Sequence, residues 1–172
     1  MYGLIKDATR GERNKIMSQS EWIEIKNNED IESLMKLYGG FHDGCIKEIR
    51  YISGMCVGEN LSMNPINNKR DVYILFQRQF KDPSTIEMLF EKIDCLYLNP
   101  RSEQYDGIIY DAYMCFEDDK VVWFDDDYFE EEEEGYKAMY DNSNTTWIRA
   151  DRVKYRIVEC CLGDEEVYIN KK

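Results

Sequence analysis

The sequence predicts an α+β fold: a mainly antiparallel β-sheet, or a partly open barrel, with one helix near the N-terminus packed against it. Three observations carry that expectation. Strand-length runs of apolar residues recur from Phe41 onward, separated by turn-forming Gly, Pro, Asp and Asn. A single earlier segment repeats its apolar residues at helical spacing instead. Thirteen tyrosines and seven phenylalanines suit pleated, half-buried surfaces, where flat rings pack across neighbouring strands. The 172 residues suffice for one cored domain, so residues 1–172 read as a single unit without an interdomain linker.

Residues 1–17 are polar, with Lys6, Arg10, Arg13 and Lys15 outnumbering Asp7 and Glu12. They read as a flexible arm, or as a docking segment that uses Tyr2, Leu4, Ile5, Ile16 and Met17. A helix is expected from Glu29 to Tyr38. Asn28 is placed to cap it, and Glu29, Asp30 and Glu32 complement the positive end of its dipole. Ile31, Leu34, Met35 and Tyr38 form one face, and Gly39-Gly40 ends the helix.

Strands are then expected at Cys45–Ile52 and Asp71–Phe80, the second with apolar residues on both faces, as in an inner strand. Asp82-Pro83-Ser84 turns the chain. Ile86, Met88 and Phe90 alternate with charged residues, and then the apolar parity shifts to Ile93, Cys95 and Tyr97. That slip predicts a bulge near Lys92. Further strands are expected at Ile108–Phe116, Val121–Phe124, Thr146–Val158 and Glu166–Ile169, with Glu117–Lys120 as a hairpin turn.

Charge excludes some function classes. The formal net charge is −13, the opposite of what phosphate binding requires, so neither nucleic acid nor an anionic membrane is an expected partner. A basic protein, a cationic ligand or a metal fits the charge better, although solubility alone would also explain an acidic chain. No apolar run reaches the ~20 residues that span a bilayer, and the first fifteen residues lack a signal-peptide core, so a cytoplasmic location is expected. The six cysteines (Cys45, Cys56, Cys95, Cys115, Cys160 and Cys161) show no CxxC spacing and are expected as reduced, small core residues.

Three groups of residues invite functional readings. The first is an acidic loop over residues 125–145. From Glu117 to Glu134 the chain holds eleven acids and one base. Asp125, Asp126, Asp127, Glu130 and Glu131, with Tyr128 and Phe129 as apolar anchors, would make a docking surface for a basic partner. The same run is equally what a solvated loop looks like. As a calcium loop it fails, because the sixth position, counted with Asp125 as the first, would have to be glycine and is Glu130.

The second group is Arg149, Arg152, Lys154 and Arg156. Alternation puts the last three on one face of a strand. They would grip an anionic ligand, or else face carboxylates of the same chain, the preceding acidic loop being the obvious source.

The third group is His42 and Asp43 in the run Gly40-Phe41-His42-Asp43-Gly44, joined by Arg78 and Asp111 as polar residues inside expected strands. A His–Asp pair suggests acid–base chemistry, but neighbours in a strand point to opposite faces. The lone histidine excludes a multi-histidine zinc site. The structural alternative is a hydrogen bond from His42 or Asp43 to the backbone where helix becomes sheet. Glycine-rich phosphate loops, GxSxG and HExxH are absent, and no metal or cofactor is expected.

The run Gly40-Phe41-His42-Asp43-Gly44-Cys45-Ile46, with Trp147-Ile148-Arg149-Ala150 later, resembles small uncharacterised bacterial proteins carrying an F-H-D motif. Some of those sit among the immunity proteins of polymorphic toxin systems. The resemblance implies a cytoplasmic protein that neutralises a basic toxin by contact, with no chemistry of its own. It assigns no role to His42 or Asp43. Two other expectations stand beside it. One is a small-molecule binder or enzyme with a pocket near His42 and Asp43. The other is a homo-oligomer built through a free sheet edge, an arrangement that the short, charged Glu166–Ile169 segment argues against.

Overall fold

A computed structural model describes residues 21–126, 137, 140, 144–158 and 162–168. Residues 1–17 and most of the acidic loop lie outside these. The fold is α+β, an open antiparallel sheet with one helix against it. The chain runs β1 (Ile23–Ile25), α1 (Asn28–Leu37), a 3-10 turn (Gly39–Phe41), β2 (Gly44–Ile52), β3 (Cys56–Val57), β4 (Met63–Asn64), β5 (Asp71–Arg78), β6 (Thr85–Tyr97), β7 (Tyr113–Glu117), β8 (Lys120–Phe124) and β9 (Trp147–Ile157).

The main sheet has the order β2-β5-β6-β9-β8-β7. Strand β9 pairs with β6 along its whole length; on its other side β8 takes the first half and β1 the second. β2 and β7 are the edges, so the sheet does not close. One bridge, between Gly44 and Ile109, brings the chain ahead of β7 back to the start of β2. β3 and β4 pair only with each other, as a small hairpin between β2 and β5.

Alternation decides which face is core. Val72, Ile74 and Phe76 on β5, Ile86, Met88 and Phe90 on β6, and Val153 and Tyr155 on β9 share the buried face with Ile31, Leu34 and Tyr38 of the helix region. Tyr38, Phe41, Phe76 and Trp123 interlock there, with successive ring centroids 5.0–5.7 Å apart. The opposite face carries a second small cluster, in which Tyr140 packs on Val122, Phe124 and Trp147.

Several sequence expectations shift. Asn27, not Asn28, caps the helix, its side chain accepting from the Asp30 N–H at 2.9 Å. The strand expected from Ile108 begins only at Tyr113, because Ile109 and Ala112 turn aside to donate to the Gly44 and Gly40 carbonyls. Glu166–Tyr168 form no strand; they lie along the sheet as a strap. The slip in β6 is real: Lys92 has φ +54°, and the register shifts between Ile93 and Cys95. Ile93 and Leu96 therefore pack on the core, whereas Cys95 and Tyr97 are exposed. Of the four cysteines described, all free, none is buried.

Candidate functional site

The turn 39–44 gathers three of the four residues nominated around His42. Gly39, Gly40, Phe41 and Asp43 all have positive φ, from 53° to 65°. Such a path is cheap for glycine and costly for a bulky side chain. At Gly40 a Cβ would also meet the Asp111 carboxylate at 3.2 Å; at Gly44 it would meet the Phe41 carbonyl at 2.6 Å. The cost at Phe41 is offset by complete burial of its ring among Tyr38, Phe76 and Trp123.

With Phe41 held inward, His42 faces out, its side chain about half exposed (49%). Its Nδ1 donates to the Tyr110 carbonyl, which assigns that nitrogen the proton. The Asp111 carboxylate lies 3.6 Å from Nδ1 and that of Asp43 3.8 Å from Nε2. The hydrogen bond to Tyr110 and the two neighbouring carboxylates raise the His42 pKa above its usual value. Chemically, the turn holds an imidazole ring between two carboxylates, which favours its protonated form, and ties the β2 entrance to the 110–111 segment.

Arg78 belongs to the other side of the same turn, with a different task. Its Nε donates to the Pro83 carbonyl at 2.8 Å and its Nη2 to the Leu37 carbonyl at 3.2 Å, and the guanidinium lies 4.5 Å over the Tyr38 ring. It caps the negative end of α1.

The acidic loop is described only at its base. Asp125 is buried, accepts from the Thr146 N–H at 2.7 Å and donates its own N–H to the Thr146 carbonyl. Burial pushes its pKa up, and the bonds from Thr146 oppose that. Asp125 therefore closes the loop, while Asp126 is half-buried. Asp127, Tyr128, Phe129, Glu130 and Glu131 lie outside the described residues.

The basic stripe is spoken for. Arg152 and Lys154 both reach Glu91, at 3.3 and 3.0 Å. Arg156 grips Glu87 at 2.5 and 2.7 Å. Arg149 reaches Glu117 at 3.2 Å. Arg152, Lys154 and Arg156 thus pair with the cross-strand carboxylates of β6, and Arg149 with Glu117 at the end of β7, where the acidic run begins. Glu87 pairs with Arg156 rather than Arg78.

Two features escaped the sequence reading. A bulge between Ile46 and Glu48 turns Glu48 away from the core, so that Glu48, Leu75, Glu87 and Arg156 line up across four strands. Glu48 accepts the Val167 and Tyr168 N–H groups at 2.5 and 2.8 Å, and the Tyr168 hydroxyl donates to Glu87 at 2.8 Å. This strap covers Leu75, which is fully buried on the outer face. Beside it is an open notch of about 370 Å³ lined by Glu48, Ile49, Arg50, Glu166 and Tyr168, none of them in the His42 group.

The second feature is the β3–β4 hairpin, whose apolar side chains point to solvent. Its sequence signal was a charge gap: from Tyr51 to Asn68 the only charged residue is Glu59, in a chain 33% charged.

Among the described residues no three His, Cys, Asp or Glu side chains are arranged to hold a metal, and no helix is long and apolar enough to cross a membrane. Compared with models of known families, with curated proteins and with solved structures, the chain shows no match. The site is therefore read from its own geometry.

Proposed function

We propose that this chain is a non-catalytic protein-binding domain for a basic partner, of the immunity type that neutralises a toxin by contact. The observation that supports this most is the closure of the basic stripe: Arg149, Arg152, Lys154 and Arg156 are each engaged by a carboxylate of the same chain. With these four cations matched inside the chain, β9 offers no open basic face, and the formal net charge is −13. A surface of that sign accelerates the approach of a cationic protein and repels phosphates.

The test is capture on the immobilised full chain from lysate of the cells that make it, at low and high salt. One basic protein retained in stoichiometric amount and released by salt is expected. Exchanging Asp126 and Asp127 for Asn and Glu130 and Glu131 for Gln, with the structural Asp125 kept, should then slow association by about 10-fold at low salt. An unchanged on-rate would remove the acidic loop from the docking surface.

A second reading rests on the convergence of His42, Asp43 and Asp111 within 3.8 Å. It makes the turn a binding point for a small cationic or hydroxylic ligand, with the exposed imidazole edge as its polar contact. NMR titration of the His42 ring with candidate ligands separates the two readings, since a protein partner docked elsewhere leaves that ring unmoved.

A further inference from the structure

The β3–β4 hairpin is built to hold apolar side chains out in water. Tyr51, Met55, Val57, Leu61, Met63 and Ile66 are exposed by 50, 49, 56, 85, 65 and 63%. Val57 and Met63 face each other directly across the two strands. Single exposed apolar residues are ordinary, but six within sixteen positions of a highly charged chain are not. Methionine and aromatic residues without charge are the composition of an interface centre.

The tip is rigid. Gly58 N–H donates to the Ser62 carbonyl and Leu61 N–H to the Gly58 carbonyl, both at 2.9 Å. The Ser62 N–H and hydroxyl both donate to the Asn60 side chain, at 3.1 and 2.6 Å. At the base, the Lys69 and Arg70 N–H groups close on the Ser53 carbonyl. Within this frame Leu61 has φ +63°, a conformation suited to Gly or Asn. The most exposed apolar side chain of the hairpin thus sits on its most strained backbone, with no packing among the described residues to offset the cost. Strain that the fold does not use is a mark of a functional position.

We infer that the hairpin tip is a docking arm, with Leu61 as its anchor, and that its occupant is a protein carrying an apolar pocket rimmed by lysine or arginine. This rests on the protein-binding reading above and names the surface that reading lacks. Charge selects the occupant. A second copy would bring two bodies of −13 together, whereas a basic partner is drawn to the body while its pocket closes over the uncharged tip. Glu59, the one charge in residues 51–68, then meets the cationic rim. A fixed loop presenting one large apolar side chain loses little freedom on binding, which favours a tight anchor.

The experiment uses the full chain with a photo-crosslinking residue at position 61 and, in a separate preparation, at position 119 in the β7–β8 turn. Both are irradiated in the cells that make the protein. The expected result is an adduct at position 61 with one basic protein. That protein, once purified, should bind Leu61→Asn and Met63→Ser at least 10-fold more weakly than the parent, while Leu61→Asn unfolds at or above the parent's temperature. If the partner crosslinks only at position 119, or binds Leu61→Asn as tightly as the parent, the hairpin inference fails and the protein-binding reading survives. An adduct between two copies of the chain overturns the proposed occupant. No adduct at either position, with the protein folded, overturns both.

Discussion

Two turns of this molecule force large apolar residues into left-handed backbone, and they resolve the cost in opposite ways. In the turn 39–44, Phe41 at φ +65° sends its ring to the centre of the aromatic cluster, and His42 is bonded to Tyr110. Strain there is offset inside the chain, and the turn fixes where helix meets sheet. In the hairpin 56–64, Leu61 at φ +63° sends its side chain into water. At 85% exposure that side chain adds almost nothing to the core of the described residues. The difference separates strain that holds a structure from strain that presents a side chain, although both look alike in a list of dihedral angles.

Substitutions sharpen that contrast. Phe41→Ala should be the most damaging, at roughly 3–5 kcal/mol, because it empties the centre of the cluster without relieving the positive φ. A urea midpoint that falls with unchanged slope would check it. Gly40→Ala should cost about 1–2 kcal/mol from the left-handed backbone alone. The new methyl must also push Asp111 aside. A neutral effect would mean the turn relaxes, and the claim of a rigid turn would be lost.

His42→Gln should be milder and visible only as pH dependence. The raised pKa means the folded turn favours the imidazolium. The stability it contributes is fully present below about pH 6.5, the unfolded value, and is lost as pH rises through the higher folded value. The gap between parent and variant should shrink across that window. A gap that is constant with pH would mean that His42 acts only through its bond to Tyr110.

Much of the frame was legible in the sequence. The helix face, the inner character of β5, the hairpin turn at Glu117–Lys120 and the slip in β6 are local patterns, and each was set by neighbours in the chain. What was not legible depends on distant partners. β1 is three residues long and is held by β9. Ile109 and Ala112 leave the expected strand because Gly44 and Gly40 offer carbonyls. The convergence of His42 with Asp111 follows from that same crossing, which no spacing rule contains. The carboxylates that close the basic stripe are on β6 and, for Arg149, at the end of β7, and pairing them with β9 required the strand order. The hairpin could have been found from its charge gap, but a gap is conspicuous only after the surrounding charge has been shown to lie on the surface.

The smallest change in stability tests the central claim most directly. It is the unfolding free energy of Leu61→Gly beside that of the parent. A value equal to the parent's or higher by up to about 1 kcal/mol is expected, since glycine relieves the left-handed strain and loses part of that gain to the freedom of the unfolded chain. A loss of roughly 2 kcal/mol or more, the scale of removing a packed leucine, would show that Leu61 serves the fold. The hairpin would then have no claim to be an arm.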